Sequence, residues 1–167
     1  MSKTKLIVLR GPSGSGKSSV AMALRNLVKE KIAIVQQDYL RRTLLKEKDV
    51  SNSLNAELIQ QVTLFVLDHG YHVIMEGIFD SDRYKNMFEK IIRAHSDNNY
   101  FFYFDVSFKE TLRRHQSKPN KEDFGEKELR SWYKERDYLP FVREEIIPEG
   151  HTLEKIVELI RTSSSLP

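Results

Sequence analysis

The sequence contains no cysteine, and this absence excludes disulfide bonds and thiolate metal sites. A chain without cysteine is typical of the reducing cytoplasm, which is the predicted location. The chain also lacks a large excess of either charge, since 27 basic and 24 acidic residues give a formal net charge of only +3. A surplus this small is compatible with an anionic substrate but is no argument for nucleic-acid binding by itself.

Long apolar runs are missing as well. The first apolar run begins at Leu6 and stops at Arg10, which is too short for a signal peptide or a membrane span, so no membrane association is expected. Hydrophobic residues make up 40% of the 167 residues and charged residues 31%, which is typical of a folded globular protein. Without a repeat or a low-complexity linker, the chain is predicted to form a single domain over residues 1–167, with a frayed polar tail at Thr162–Pro167.

The most specific motif is the stretch Gly11–Ser18, which reads Gly-Pro-Ser-Gly-Ser-Gly-Lys-Ser and satisfies the pattern of a P-loop. It lies between a strand-like run, Leu6–Leu9, and a helical apolar pattern at Val20–Val28, as the motif requires. The backbone N–H groups of such a loop cradle phosphate oxygens, its lysine contacts the β- and γ-phosphates, and its last hydroxyl ligates Mg²⁺. ATP and Mg²⁺ are therefore the predicted cofactors, with Lys17 catalytic and Ser18 the metal ligand. The predicted nucleotide-binding residues here are Gly11, Ser13, Gly14, Ser15, Gly16, Lys17, Ser18 and Ser19.

Strand-like and helix-like patterns alternate along the whole chain. The predicted strands cover residues 5–10, 32–35, 71–75, 100–106 and 145–147. The predicted helices run from the P-loop to Glu30, from Ser53 or Asn55 to His69, from Ser81 or Asp82 to Ile92, over 108–117, over 125–138, and from Thr152 onward. This alternation predicts a three-layer α/β/α sandwich around a five-stranded parallel sheet, in which ligands bind beyond the carboxyl ends of the strands.

Three carboxylates stand at predicted strand ends. Asp38 follows the second strand, where a carboxylate can orient and deprotonate an acceptor hydroxyl, so it is predicted to be catalytic and to contact the substrate. A helix cap is the alternative reading of this aspartate. Glu76, after the third strand, is predicted to contact the acceptor or to hold Mg²⁺ through water. For Asp105, in the fourth strand, two interpretations are equally supported: a carboxylate of the functional site, or a buried carboxylate bonded to nearby backbone.

Two groups of arginines are further candidates for the site at these strand ends. Arg41 and Arg42 follow Asp38 within one helical turn and are predicted to bind an anionic part of the acceptor, with a solvated helix face as the alternative. Residues 113–139 are predicted to form a mobile lid, in which at least one arginine stabilises the transferring phosphate. The alternative is a salt-bridged surface helix, because the same segment is rich in glutamate. The four lid arginines considered are Arg113, Arg114, Arg130 and Arg136.

Together with the P-loop, the segments Gln37–Tyr39, Phe104–Val106 and Arg130–Tyr133 resemble the kinase module of phage polynucleotide kinase. They are also similar to the wider group of small P-loop kinases that includes zeta-toxin-like and chloramphenicol phosphotransferase-like enzymes. The resemblance covers most of the chain, although only the P-loop is individually specific.

This resemblance implies a P-loop nucleoside triphosphate hydrolase fold of the nucleotide-kinase type with a helical lid. It also implies that Asp38 is the general base, that Arg130 stabilises the transferring phosphate and that Arg114 lies near adenine. One departure concerns the acceptor side, where polynucleotide kinases have two adjacent aspartates and this chain has Gln37 before Asp38.

The predicted function is an ATP-dependent kinase that transfers the γ-phosphate to a hydroxyl of a small-molecule or nucleotide-like acceptor. One alternative is a polynucleotide 5′-hydroxyl kinase, which the acidic residues Glu47 and Asp49 disfavour because they dilute the basic charge after Arg42. The other is a non-catalytic nucleotide-dependent switch. Its guanine-binding segment would have to be Asn120–Asp123, which lies in the predicted lid and not after a strand.

Overall fold

The computed structural model describes residues 4–29, 31–119 and 121–167, so the predictions that involve residues 1–3, Glu30 and Asn120 lie outside the described residues. Five parallel strands form one sheet in the order β2-β3-β1-β4-β5. The strands are β1 Leu6–Arg10, β2 Ile32–Gln36, β3 His72–Gly77, β4 Asn99–Asp105 and β5 Glu144–Pro148. The helices are α1 Lys17–Leu27, α2 Leu54–Asp68, α3 Lys85–Ala94, α4 Phe108–Gln116, α5 Glu126–Trp132 and α6 Leu153–Ser164. The predicted five-stranded parallel sheet is confirmed.

The central strand β1 is buried along its whole length, and alternate side chains enter two separate cores. Leu6 and Val8 pack with residues of α2 and α3 on one face, whereas Ile7 and Leu9 pack with residues of α1 and α6 on the other. This two-residue alternation is what a strand covered on both faces requires, and it produces the predicted three layers. Among the described helices, none is long and apolar enough to cross a membrane.

All carboxyl ends meet at one edge of the sheet because every strand pair is parallel. The P-loop leaves β1 at this edge, and Asp38 follows β2. Glu76 lies in β3, in register with Leu9 of β1 and Gln36 of β2. The fold therefore brings the P-loop and the two predicted carboxylates to one place.

The predicted helix over residues 125–138 is wrong at its carboxyl end. Helix α5 stops at Trp132, and Tyr133 is extended, with φ −76° and ψ 125°. The Tyr133 hydroxyl donates a 3.0 Å hydrogen bond to the Val106 carbonyl, and Arg136 adopts a left-handed conformation with φ 49°. Arg130 and Arg136 consequently do not share a helix.

The third helix also begins later than predicted, at Lys85 instead of Ser81 or Asp82. The reason is a turn in which Asp80 Oδ1 accepts hydrogen bonds of 3.1 Å from the backbone N–H groups of Asp82 and Arg83. An aspartate that satisfies the backbone in this way favours a turn over helix continuation.

Two further features were not anticipated from the sequence. The residues after β2 form a π-helix, Tyr39–Leu44, a rare element without a distinct sequence signal. The predicted frayed tail is wrong, because α6 extends to Ser164 and Leu166 is buried in the core beside α6. The Ser164 hydroxyl donates to the Ile160 carbonyl at 2.6 Å, so a polar residue is accommodated there inside the protein.

Candidate nucleotide and acceptor site

The P-loop has the backbone of a phosphate-binding nest. Gly11, Gly14 and Gly16 have φ angles of 146°, 74° and 95°, in the region that side chains disfavour. At Gly11, a Cβ atom would lie 2.7 Å from the carbonyl oxygen of Phe104. The pattern of glycines in the motif is therefore required by this backbone and by its close approach to β4.

Lys17 is buried within this loop, with 7% of its surface exposed. Its ammonium donates to the Pro12 carbonyl at 2.7 Å and to the Ser15 hydroxyl at 3.1 Å. Burial lowers the pKa of Lys17 to about 8, and the nearby carboxylates of Glu76 and Asp38 oppose that shift. Its two hydrogen-bond partners are both neutral oxygens, so this ammonium is suited to pair with phosphate.

Ser18 and Glu76 are in direct contact. The Ser18 hydroxyl donates to Glu76 Oε1 at 2.9 Å, and Gln36 Nε2 donates to the same oxygen at 3.0 Å. A hydroxyl beside a carboxylate fits the oxygen preference of Mg²⁺. The described residues contain no group of three or more histidine, aspartate or glutamate side chains that could hold a metal, so water and phosphate oxygens would supply the remaining ligands.

The other candidate carboxylate, Asp105, lies apart from this pair. Its Oδ2 is 3.8 Å from Nε of Arg136, and it does not line the cavity beside the P-loop. Of the two carboxylates, Glu76 is the one beside the predicted metal ligand.

Asp38 borders the same space as the P-loop residues. A cavity of about 180 Å³, which we call the phosphate cavity, is lined by Ser13, Gly14, Lys17, Ser18, Gln36, Asp38, Tyr39, Glu76, Gly77, Ile78 and Lys118. The Asp38 side chain is 66% exposed, and it makes no capping hydrogen bond to the described backbone. Its Oδ1 instead lies 3.0 Å from Nη2 of Arg41 and 3.5 Å from Nε of Arg42.

Gln37 fixes the direction in which Asp38 points. Gln37 is buried, donates to the Tyr84 hydroxyl at 2.8 Å and accepts from the Phe79 backbone N–H at 3.1 Å. These bonds hold Gln37 in the interior while Asp38 faces the cavity. The residue that departs from the polynucleotide kinase pattern thus has a structural role in this chain.

A second cavity of about 390 Å³ lies on the other side of Arg41 and Arg42, and we call it the basic cavity. Its wall combines the P-loop, the π-helix, the loops after the π-helix and after β3, one residue of β4, the end of α5 and the residues that follow α5. The lining residues are Gly11, Pro12, Arg41, Arg42, Lys48, Asp49, Val50, Ile78, Asp80, Arg83, Tyr103, Trp132, Lys134 and Asp137. This cavity is large enough for a small acceptor and adjoins the phosphate cavity.

The predicted adenine contact, Arg114, lies against the outer side of the P-loop. It donates to the carbonyl oxygens of Ser15 and Glu149, each at 3.1 Å, and its Nε lies 2.6 Å from Glu110 Oε1. Arg114 therefore links α4, the P-loop and the turn after β5. Its contact with a nucleotide stays a prediction, as does that of Ser19, which is exposed on the first turn of α1.

Arg130 lies away from both cavities. It pairs with Glu126 at 2.7 Å, and its guanidinium lies 4.3 Å from the ring centre of Phe108. Arg113 pairs with Glu110, and Arg136 lies near Asp105. The catalytic role of Arg130 stays a prediction, and it requires the lid to move.

Lys118 was missed by the sequence analysis. It follows α4 and, among the described residues of the lid segment, is the one that lines the phosphate cavity, together with Lys17 and Asp38. Its position just before Pro119, at a break between helices, was the available signal. Lysines are frequent in this segment, so the sequence alone could not single it out.

Arg10 was missed as well, although it ends the central strand directly before the P-loop. It is fully buried and lies 2.7 Å from Glu144 Oε1 and 3.4 Å from Asp137 Oδ2. It also donates to the Phe79 carbonyl at 2.8 Å. A charged residue at the end of an otherwise apolar run was the signal that could have revealed this network.

The fold and the P-loop define a P-loop nucleotide-binding protein with a kinase-like architecture. More particularly, the chain belongs to the AAA domain family, whose model matches residues 6–139. The finer grouping with polynucleotide kinase and the zeta-toxin-like enzymes stays a prediction. No curated protein matches the chain significantly.

Several solved structures share this fold at low sequence identity. A candidate kinase from Chloroflexus aurantiacus is 15% identical over 100% of both chains, with a TM-score of 0.75. The APS kinase CysC of Mycobacterium tuberculosis in complex with AMPPNP and APS is 19% identical over 98% of this chain and 97% of that one, with a TM-score of 0.68. A gluconokinase from Sinorhizobium meliloti is 16% identical over 98% of this chain and 93% of that one, with a TM-score of 0.66. At these identities the comparisons establish the fold.

Proposed function

We propose that the protein is a cytoplasmic, ATP-dependent phosphotransferase that acts on a hydroxyl group of a small-molecule or nucleotide-like acceptor. The observation that carries this proposal is the phosphate cavity, in which Asp38 faces the same space as Lys17 and Ser18. A base opposite a P-loop is what phosphoryl transfer to a hydroxyl needs. The kinases among the solved structures with this fold, of which one was solved with AMPPNP and APS, support the choice.

In the proposed reaction, the acceptor hydroxyl oxygen attacks the γ-phosphorus while its proton passes to the Asp38 carboxylate. The bond from the γ-phosphorus to the β,γ-bridging oxygen breaks, and ADP leaves with that oxygen. Lys17 stabilises the charge on the phosphate oxygens throughout. Mg²⁺, with Ser18 and Glu76 positioned for it, would neutralise charge on the β- and γ-phosphates.

The segment 113–139 is proposed to act as a lid that excludes water when it closes. Lys118 already borders the phosphate cavity, while Arg130 is held by Glu126 outside it. Closure would therefore have to exchange the ion pair of Arg130 for contacts with phosphate. Because that pair is largely exposed, breaking it costs little.

The test is transfer of label from γ-³²P-ATP, measured with a panel of sugars, sugar acids, nucleosides, nucleotides and an oligonucleotide with a free 5′-hydroxyl. We expect Mg²⁺-dependent labelling of a small acceptor. Labelling of the oligonucleotide alone would favour the polynucleotide kinase alternative. Tight nucleotide binding without transfer to any acceptor would contradict the proposal and favour a nucleotide-dependent switch.

A further inference from the structure

Helices α1 and α6 lie over the same core, the one that contains Ile7 and Leu9 of β1. A groove of about 760 Å³ lies between these two helices, and we call it the α1–α6 groove. None of the described residues that line it also lines the phosphate cavity or the basic cavity. The groove is therefore a separate surface that the proposed phosphate transfer does not use.

Apolar residues form one part of the α1–α6 groove. Leu27 on α1 and Leu153 on α6 both line it, and their exposed fractions are 51% and 41%. Val157 and Leu166 also line the groove and are buried. Exposed leucines that are grouped in one groove, and not scattered singly over the surface, indicate a contact with another protein.

Charged residues form the α6 side of the groove. Glu154, Glu158 and Arg161 line it and are exposed, and none of them forms an ion pair or a side-chain hydrogen bond with another described residue. Glu154 and Glu158 are four residues apart, so these two like charges are neighbours on the helix surface and repel each other. A cation supplied by another molecule would relieve this repulsion.

The charges on this face of α6 are ordered along the helix. Glu154 lies in the first turn and Arg161 in the last turn. A separation of seven residues is two turns, or about 10.5 Å, with an angular drift of only about 20°, so both residues lie on one face. An identical helix that lies antiparallel to α6 places its Arg161 opposite Glu154 and its Glu154 opposite Arg161. A parallel copy would place like charges together.

We propose that the α1–α6 groove is the interface of a homodimer, in which α6 of one copy packs antiparallel to α6 of the other. The two-fold axis passes between Val157 and Glu158, which is the midpoint between Glu154 and Arg161. Each copy uses the same surface, so the pair of Glu154 with Arg161 forms twice. This inference goes beyond the proposed kinase function and does not depend on it.

The apolar residues support the same arrangement. Leu27 and Leu153 line the groove that the second α6 covers, so dimerisation removes their exposed surface from water. Burial of this apolar surface stabilises the contact, while the two ion pairs determine its orientation. Arg161 of each copy also lies about one helical turn from Glu158 of the other, where it reduces the repulsion between the two glutamates.

The experiment is sedimentation velocity of the full chain from about 1 to 100 μM, a range that includes the Kd of weak specific dimers. We expect a reversible dimer that weakens as sodium chloride is added, because salt screens the ion pairs. Arg161→Glu and Glu154→Arg should each raise the Kd of the dimer about tenfold or more. The reason is that each reversal replaces two attractive contacts by two repulsive ones.

Arg93→Glu reverses the charge of an exposed arginine on α3 and is the matched control, which should dimerise as the unchanged protein does. Circular dichroism and ADP affinity report whether each variant is folded. The reversed residues line neither the phosphate cavity nor the basic cavity, so ADP affinity should stay unchanged in all three variants.

A mixture of the two reversed variants provides the sharpest outcome. Glu154→Arg has arginine at both ends of this face of α6, whereas Arg161→Glu has glutamate at both ends. Neither variant should self-associate, but an equimolar mixture should form a heterodimer. The double variant Glu154→Arg/Arg161→Glu restores opposite charges at the two ends and should dimerise as the unchanged protein does.

Three results would overturn the proposal. One is an unchanged protein that stays monomeric at every concentration, which would leave the groove for a different protein. Another is a dimer that persists unaltered in both folded reversals, because its interface would lie elsewhere. The third is a mixture of the two folded reversals that stays monomeric, because antiparallel pairing of α6 requires them to associate.

Discussion

At the scale of single residues, the charge of Lys17 depends on its burial. The P-loop holds this ammonium among neutral oxygens, and burial lowers its pKa to about 8 from the ordinary 10.5 of lysine. Phosphate favours the charged form, so nucleotide binding raises the pKa of Lys17 and takes up a proton wherever the free protein is already deprotonated.

The affinity for ADP in the absence of Mg²⁺ should therefore fall as the pH rises through 8. The expected slope approaches about tenfold per pH unit, the limit for uptake of one proton. Calorimetric titrations between pH 7 and 9.5, in buffers of different ionisation enthalpy, measure both the affinity and the proton uptake. A constant affinity for ADP over this range would contradict the lowered pKa of Lys17.

Lys118 is the second residue whose charge should matter, because it borders the phosphate cavity from the lid. We expect Lys118→Gln to slow phosphate transfer about tenfold or more, which corresponds to the loss of one charge-assisted hydrogen bond in the transition state. Lys121→Gln, an exposed lysine three residues further along the same segment, is the control. Equal rates for the two variants in a γ-³²P-ATP assay would remove Lys118 from the site.

At the scale of elements, Arg10 joins three parts of the fold that surround the site. It ends β1, contacts Glu144 of β5, and binds Asp137 and the Phe79 carbonyl in the loops after α5 and β3. Asp137 in turn accepts hydrogen bonds from the backbone N–H and hydroxyl of Ser81, at 2.9 Å and 2.5 Å. The network fixes the end of the lid segment against the sheet.

Replacing Arg10 by methionine would leave two carboxylates near the interior without their partner. We expect the free energy of unfolding to fall by about 3–5 kcal/mol, the cost of breaking a buried ion pair from one side. Urea denaturation measures this loss, and Arg93→Met supplies the control for an exposed arginine. A loss below about 1 kcal/mol would mean that this network contributes little to stability.

The carboxyl end of β3 is packed so closely that only glycine fits. A Cβ atom on Gly77 would lie 2.4 Å from Oε1 of Gln37 and 2.9 Å from a ring carbon of Phe79. Since Gln37 sets the direction of Asp38, Gly77→Ala should displace the proposed base.

We expect Gly77→Ala to destabilise the protein by about 1–3 kcal/mol and to reduce phosphate transfer more than ADP affinity. Gly150→Ala, at a position with open space around it, should leave both measurements unchanged. Transfer by the folded Gly77→Ala protein at the original rate would show that Gln37 does not position Asp38.

At the scale of the whole molecule, the sheet and the P-loop could be predicted from the sequence because both depend on local patterns. The unbroken apolar run Leu6–Leu9 favours a buried strand, and the glycines of Gly11–Ser18 favour the backbone of the loop. The position of Asp38 and Glu76 beside the P-loop could also be predicted, because ligands of parallel sheets bind beyond the carboxyl ends of the strands.

The lid and the acceptor side could not be predicted in the same way. Helix α5 ends at Trp132 because of a contact between Tyr133 and Val106, which are far apart in the chain. The shared ion pairs of Asp38 depend on the π-helix that places Arg41 and Arg42, and the burial of Arg10 depends on residues more than a hundred positions away. Such long-range contacts leave no periodic signal in the sequence.

The central claim is that one cavity unites a nucleotide-binding P-loop with a separate catalytic base. The most direct test is Asp38→Ala, assayed for transfer of label from γ-³²P-ATP and for ADP affinity in parallel. Because Asp38 faces the cavity with an exposed side chain, its removal should abolish transfer while ADP affinity stays within about threefold, since binding energy and base catalysis come from different groups. Transfer at the original rate, or loss of ADP binding in the folded variant, would contradict this account.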